Sequence, residues 1–178
     1  MKRVILIHGN GGGTGQDHWQ PVVKAALEAA GIPCESPDFP DATLARAEYW
    51  LPFLETLGAD AETVLVGHSS GAIAALRYAE THPLLGSVLV GAYHTDLDLE
   101  SEKLSGYFET PFDWEAIRKN QSWIAIYASV DDPFIPIAEP RYLAQQLSAE
   151  YFEFTDRGHF MSPEFPELIA LLKQKLTS

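Results

Sequence analysis

The chain has 178 residues, with 12 Lys and Arg against 25 Asp and Glu, which gives a formal net charge of −13 at pH 7. This acidity argues against binding to nucleic acids or to anionic membrane surfaces, because both favour basic protein surfaces. The length suits one folded domain spanning residues 1–178. The single cysteine, Cys34, excludes an intramolecular disulfide framework.

The N-terminal apolar run, residues 4–7, is much shorter than the core of a signal peptide. No stretch approaches the ~18 apolar residues expected of a membrane span. We therefore expect a cytoplasmic protein.

Short apolar runs alternate along the chain with segments of helical periodicity. The predicted strands are residues 4–8, 63–67, 87–91, 123–128 and 151–154, with a weaker candidate at 34–36. The predicted helices are residues 19–30, 44–54, 73–79, 143–147 and 165–176. Pro52 should kink or interrupt the second helix, and the last should have Ser162 as its N-cap and Pro163 in its first turn.

This alternation predicts a three-layer α/β fold, with a mostly parallel central sheet and helices on both faces. In such sheets ligands bind beyond the carboxyl ends of the strands, so chemistry is expected just after each strand. Residues 93–114 fit the pattern least well, since they are rich in acidic and aromatic side chains. They are compatible with a long loop, with a small cap over the site, or with a solvated acidic excursion.

Residues 67–71 (G-H-S-S-G) lie between a predicted strand and a predicted helix, which is the setting of a nucleophile elbow. The sharp turn requires nearly bare positions two residues before and after the nucleophile, and Gly67 and Gly71 meet that need. The register makes Ser69, and not Ser70, the nucleophile. The alternative is a tight turn in which Ser69 only caps the helix.

A serine nucleophile needs an adjacent base that is oriented by a third group. His159 follows the last predicted strand and is the candidate base, while His94 also follows a strand and is its rival. His8 and His68 belong to motifs with backbone roles, and the remaining histidines, His18 and His82, lie at helix ends.

The acidic member is expected after the strand at residues 123–128, because this completes the chain order Ser, Asp, His. Asp131 and Asp132 compete for the role. Asp132 has the better spacing to the Ile135–Pro136 pair that follows, and Asp131 is then free to start the turn ahead of Pro133.

An oxyanion hole needs two backbone N–H groups directed at one point. Ser70 should supply one, and the glycine-rich loop after the first strand should supply the other through Asn10 or, as the alternative, Gly11. A dinucleotide site in that loop is disfavoured, because the third glycine of the G-x-G-x-x-G pattern is replaced by Thr14 or Gln16. Nearby aromatic residues are candidates for an apolar substrate pocket: Trp19, Phe134 and Phe160.

These motifs span nearly the whole chain, and together they resemble the small serine hydrolases of the retinoblastoma-binding protein nine family. The resemblance rests on residues 8–12, Trp19, residues 67–71, residues 131–133 and residues 158–159. It implies a minimal, lidless α/β-hydrolase fold, a triad of Ser69, Asp132 and His159, and no cofactor. It also implies short esters or amides as substrates.

The expected function is therefore hydrolysis of small carboxylic esters through an acyl-enzyme. The alternative is a hydrolase-fold protein that acts mainly as a protein-interaction module, because a fold alone never settles function.

Overall fold

The computed structural model describes residues 1–177 and contains a six-stranded sheet in the order β2-β1-β3-β4-β5-β6. Every neighbouring pair of strands is parallel. The strands are β1 (Arg3–Ile7), β2 (Cys34–Glu35), β3 (Thr63–His68), β4 (Leu84–Val90), β5 (Gln121–Ser129) and β6 (Glu150–Phe154). The predicted α/β fold is confirmed, including the weak strand near Cys34, which pairs with Val4 of β1.

Helices connect the strands. They are α1 (Gln20–Glu28), α2 (Ala47–Thr56), α3 (Ser70–Ala79), α4 (Glu100–Leu104), α5 (Trp114–Lys119), α6 (Ala138–Leu147) and α7 (Pro166–Thr177). Helices α4 and α5 were not predicted from the sequence. None of the described helices has the length and apolar character needed to cross a membrane.

Pro52 lies inside α2 without interrupting it, and the first-turn position expected for Pro163 was wrong. The last helix begins at Pro166, and not near Pro163, because the carbonyl of Phe165 accepts a hydrogen bond from the N–H of Ile169. Pro166 therefore takes the first helical position, where the missing N–H costs nothing.

The side chains of β1 show how the sheet divides the core into two layers. Ile5 and Ile7 face a core that includes α2, α3 and α6, while Val4 and Leu6 face a second core formed with α1 and α7. All four side chains are fully buried, as expected for a central parallel strand covered on both faces. This rigid sheet holds the loops at its carboxyl edge in fixed relative positions.

Candidate active site

Ser69 occupies the sharp turn between β3 and α3. Its backbone angles, φ 56° and ψ −119°, are strained for a residue with a side chain, and its N–H donates to the carbonyl of Val90 at 2.8 Å. The Ser69 side chain makes no helix-capping hydrogen bond. The capping alternative therefore does not describe this serine, whose hydroxyl lies on the wall of a cavity.

The two glycines of the motif are required by close backbone packing. A Cβ atom at Gly67 would lie 2.2 Å from the carbonyl oxygen of Gly71, and a Cβ at Gly71 would lie 2.5 Å from the carbonyl oxygen of Ile7. Either contact would force the elbow apart. The steric reason given for the motif thus holds at both positions.

The Asp132 carboxylate is hydrogen-bonded directly to the His159 imidazole. Its Oδ2 lies 2.7 Å from His159 Nδ1, and the Asp132 and His159 side chains are 3% and 9% exposed. The other carboxylate oxygen, Oδ1, accepts hydrogen bonds from the N–H groups of Phe134 and Ile135 at 2.8 and 3.0 Å. One oxygen thus fixes the turn, and the second fixes the imidazole through Nδ1, while Nε2 has no hydrogen-bond partner among residues 1–177.

Asp131 has a different task from the one expected, because the turn ahead of Pro133 is held by Asp132. Asp131 Oδ1 accepts from the Ser129 hydroxyl at 2.5 Å and from the Gly158 N–H at 2.9 Å. The hydrogen bond from Ser129, followed by that from Gly158, lowers the pKa of Asp131. This carboxylate therefore tethers the loop that carries His159.

His68 links the elbow to the same loop. Its Nε2 lies 2.7 Å from the backbone carbonyl oxygen of His159. Burial, followed by the proximity of His159, lowers the pKa of His68 to about 3, so the ring is neutral at pH 7 and donates through Nε2–H. His68 was expected to have only a backbone role, so this side-chain contact was not predicted.

Gly91, directly after β4, is a second feature that the sequence analysis missed. A Cβ at this position would lie 2.9 Å from Cε1 and 3.1 Å from Nδ1 of His159, and the glycine has φ +60°. The absence of a side chain lets the imidazole sit against the end of β4. In the sequence, the glycine that directly follows the apolar residues of this strand was the feature that could have indicated a close contact here.

Ser69 and His159 line one cavity of about 460 Å³. The Ser69 hydroxyl makes no hydrogen bond within residues 1–177, so Ser69 and His159 are not hydrogen-bonded to each other in this structure. Such contacts often tighten only when substrate binds. The rival histidine, His94, lines a different cavity and lies 2.7 Å from Glu139.

The glycine-rich loop after β1 lies beside the serine. A Cβ at Gly9 would lie 3.4 Å from the Cβ of Ser69. Gly11 donates its N–H to the carbonyl of Thr43 at 3.0 Å, which removes it as an oxyanion donor. Within the described chain, the backbone N–H groups of Asn10 and Ser70 have no acceptor, so both are free to bind an oxygen of a ligand.

Apolar side chains surround the mouth of the cavity. Phe134 packs edge-on against His159, with ring centroids 5.2 Å apart, and is 61% exposed. Leu99 and Met161 also line the cavity and are about half exposed. Of the three aromatic residues proposed for the pocket, Phe134 alone lies on its wall.

Trp19 and Phe160 are corrections to the predicted pocket. Both are buried in the core on the α1–α7 side of the sheet, where each packs against Phe165. Their rings are therefore covered by protein and not presented to a ligand. His18, which the sequence analysis left at a helix end, lines the cavity instead, with a strained φ of 52°.

The segment between β4 and α5, residues 91–113, forms part of the cavity wall. It is fixed to the rest of the fold at both ends: Glu139 accepts from the N–H groups of His94 and Thr95, and the Arg77 guanidinium donates to the Tyr107 carbonyl. The side chains that it contributes to the cavity are Tyr93, Leu97, Leu99, Ser101 and Glu102. Among the three alternatives for this region, a small cap at the site describes it best.

The fold and the family comparison define a class of enzyme. The chain matches the serine hydrolase family over residues 4–172 and belongs to that family. It is 47% identical over 178 residues to "Serine hydrolase RBBP9" of Rattus norvegicus, covering 98% of this chain and 96% of the relative. A second relative, YdeN of Bacillus subtilis strain 168, is 31% identical over 99% of this chain and 95% of its own.

Solved structures agree with this assignment. The crystal structure of the ydeN gene product from B. subtilis superposes with a TM-score of 0.91 at 28% identity and covers all of both chains. The esterase RhEst1 from Rhodococcus sp. ECU1013 has a TM-score of 0.71 at 16% identity, over 99% of this chain and 90% of its own, and shows the shared fold alone. The resemblance drawn from the sequence motifs is confirmed, and the protein is an enzyme of the serine hydrolase type.

Proposed function

We propose that this hydrolase cleaves small carboxylic esters, and amides as a second class, through a covalent acyl-enzyme on Ser69. The observation that carries the proposal is the elbow serine sharing one cavity with a buried Asp132–His159 pair. Among the described residues, His159 is the one histidine on this cavity whose ring is hydrogen-bonded to a carboxylate.

The geometry supports a specific division of roles. His159 Nε2 takes the proton of the Ser69 hydroxyl as the oxygen attacks the acyl carbon, and later returns it to the leaving group. Asp132 holds Nδ1–H and stabilises the imidazolium. The free N–H groups of Asn10 and Ser70 bind the oxygen that becomes negatively charged, and water then releases the acyl group.

The cavity supports small and uncharged acyl groups. Its volume is about 460 Å³, and its mouth is apolar at Leu99, Phe134 and Met161. None of the described residues that line the cavity is Lys or Arg, whereas two of them, Asp17 and Glu102, are acidic. Anionic substrates should therefore be poor, and added salt should partly relieve their repulsion by a protein of net charge −13.

A nitrophenyl ester series of increasing acyl length, measured as kcat/KM at two ionic strengths, tests this proposal. We expect activity on short chains that falls steeply beyond medium ones, with little salt effect on neutral esters. A matched series of nitroanilides separates ester from amide preference. A preference for long acyl chains would contradict the small pocket, and absence of turnover in all series would favour the interaction-module alternative.

A further inference from the structure

A buried carboxylate that takes no part in the proposed acyl transfer lies on the cavity wall. Glu102 belongs to α4, is 5% exposed and lines the same cavity as Ser69. Glutamate is rarely buried to this extent without a charged partner. Within residues 1–177, Glu102 makes no ion pair, and its partners are neutral side chains.

Those partners connect Glu102 to the neighbourhood of the elbow. The Asn10 side-chain amide donates to Glu102 Oε1 at 3.0 Å, and the Tyr93 hydroxyl donates to Oε2 at 2.8 Å. Because Tyr93 has only one hydroxyl proton, the Ser70 hydroxyl, 3.3 Å away, donates to the oxygen of Tyr93. Both carboxylate oxygens of Glu102 thus accept a hydrogen bond, an arrangement that suits the ionised form.

The two ends of this chain of hydrogen bonds are Asn10, which lines the cavity, and Ser70, which directly follows the cavity-lining Ser69. Within residues 1–177, the backbone N–H groups of Asn10 and Ser70 have no acceptor. Glu102 holds the side chain of Asn10 directly and that of Ser70 through Tyr93. An oxyanion hole is effective because its donors are fixed before the reaction, and a displacement of about 1 Å at a reacting site can cost ~100-fold in rate. We propose that Glu102 is a positioning residue that fixes the Asn10 and Ser70 amides as an oxyanion hole, an inference that rests on the proposed function.

The cost of placing a carboxylate here argues for a role beyond holding the fold together. Burial raises the pKa of Glu102, and the nearby Asp96 raises it further, although the hydrogen bonds from Tyr93 and Asn10 act in the opposite direction. A well-packed apolar side chain often stabilises such a site as well or better. The same segment, residues 91–113, is already anchored elsewhere by Arg77 and Glu139.

Two isosteric substitutions test the proposal. Glu102→Gln replaces one acceptor oxygen by a donor, and Tyr93→Phe removes the link to Ser70 while keeping the ring that fills the core. Glu139→Gln is the matched control, because Glu139 holds the start of the same segment but does not line the cavity. For each variant, kcat and KM are measured on a short nitrophenyl ester, together with the inhibition constant of an alkyl boronic acid.

The boronic acid reports on the hole itself, since its tetrahedral adduct with serine carries a negative oxygen where the oxyanion forms. We expect kcat to fall about 10- to 100-fold in Glu102→Gln and Tyr93→Phe, less than the ~100- to 1000-fold cost of deleting a donor outright. KM should change by less than about threefold. Boronate affinity should weaken by the same factor as kcat/KM, and Glu139→Gln should match the wild type.

Unchanged kcat in both variants would overturn the proposal, and so would a loss confined to KM, which would make Glu102 a substrate contact. Boronate affinity that stays constant while kcat falls, or an equal loss in Glu139→Gln, would also contradict it. If Glu102→Gln fails to fold, Tyr93→Phe still decides. A wild-type protein that neither turns over esters nor binds the boronate would instead refute the proposed function, and the role of Glu102 with it.

Discussion

The cavity has two walls that are built in different ways. One consists of the loops at the carboxyl edge of the sheet, which carry Asn10, Ser69, Asp132 and His159 after β1, β3, β5 and β6. The other is the segment of residues 91–113, which contributes apolar side chains and Glu102. The first wall carries the groups proposed to react, and the second shapes the space in front of them.

The difference shows that the two walls are held in place by different kinds of interaction. The edge loops are held by continuous parallel pairing, such as Gly67 with Leu89 and Leu89 with Ile126, so their relative positions follow from the sheet. The segment is held by side-chain contacts, chiefly those of Arg77 and Glu139. Substitutions in the first wall should therefore affect kcat most, and those in the second should have smaller effects.

The largest effect is expected at Ser69. Ser69→Ala removes the proposed nucleophile and should lower kcat by about 10⁶ on the scale of other serine triads. The measurement is the steady-state rate on a short nitrophenyl ester. Ser70→Ala, one residue along the chain, is the comparison: it keeps the backbone N–H but removes the hydroxyl bonded to Tyr93, so its loss should match that of Tyr93→Phe. A larger loss there than in Ser69→Ala would show that Ser70, and not Ser69, is the nucleophile.

The two adjacent aspartates should differ strongly. Asp132→Asn removes the carboxylate that fixes His159 and favours the wrong tautomer, so kcat should fall roughly 10⁴-fold. Asp131→Asn keeps an acceptor oxygen for the Gly158 N–H and should cost far less. Both variants should be compared at equal folded fraction by circular dichroism, and a reversed ranking would contradict the assignment of Asp132.

Gly91 is the first residue of the second wall, and it offers a steric test of the contact between that wall and His159 in the first. Gly91→Ala would bring a methyl group within 2.9 Å of His159 Cε1, so the imidazole must shift and kcat should fall on the order of 100-fold. Gly31→Ala is the control, since Gly31 also has a positive φ, of +76°, but a Cβ there meets nothing within 4 Å. Similar kinetic losses in the two variants would show that backbone strain, and not displacement of His159, is responsible.

The smallest effect concerns stability in the second wall. Because burial raises the pKa of Glu102 in the folded state, its ionisation lowers the free energy of unfolding as pH rises from the model-peptide value of 4.5 through the raised pKa. The neighbouring titratable groups are Tyr93, Tyr107 and Asp96.

Urea unfolding of wild type and Glu102→Gln across this pH range measures the effect. The wild type should lose stability relative to the variant as pH rises, and the difference should become constant above the raised pKa. A difference that grows in favour of the wild type would mean that the hydrogen bonds from Asn10 and Tyr93 outweigh the cost of burial.

The sequence predicted the first wall better than the second for a physical reason. A strand–turn–helix motif places Ser69 through local backbone geometry, and His159 lies in the loop after a strand, both of which short stretches of sequence record. The environment of Glu102 depends on contacts with Asn10 and Tyr93, 92 and 9 residues away along the chain, which no local pattern encodes. Trp19 was misplaced for the same reason, since nearness in sequence to a motif does not say which way a ring packs.

One missed element did carry a local signal. Helix α5 has Asp113 as its N-cap, which accepts a hydrogen bond from the Ala116 N–H at 2.9 Å, and basic residues Arg118 and Lys119 in its last turn. Both features are typical of helix ends. With only six residues, however, α5 is too short for its apolar periodicity to be recognised.

The central claim, that Ser69 forms a covalent acyl-enzyme in this cavity, is tested most directly by a fluorophosphonate probe. Intact-mass spectrometry should show one adduct on the wild-type protein, and peptide mapping should place it on Ser69. Ser69→Ala should remain unlabelled, and a short ester should compete with labelling of the wild type. An adduct on Ser70, or equal labelling of Ser69→Ala, would contradict the claim.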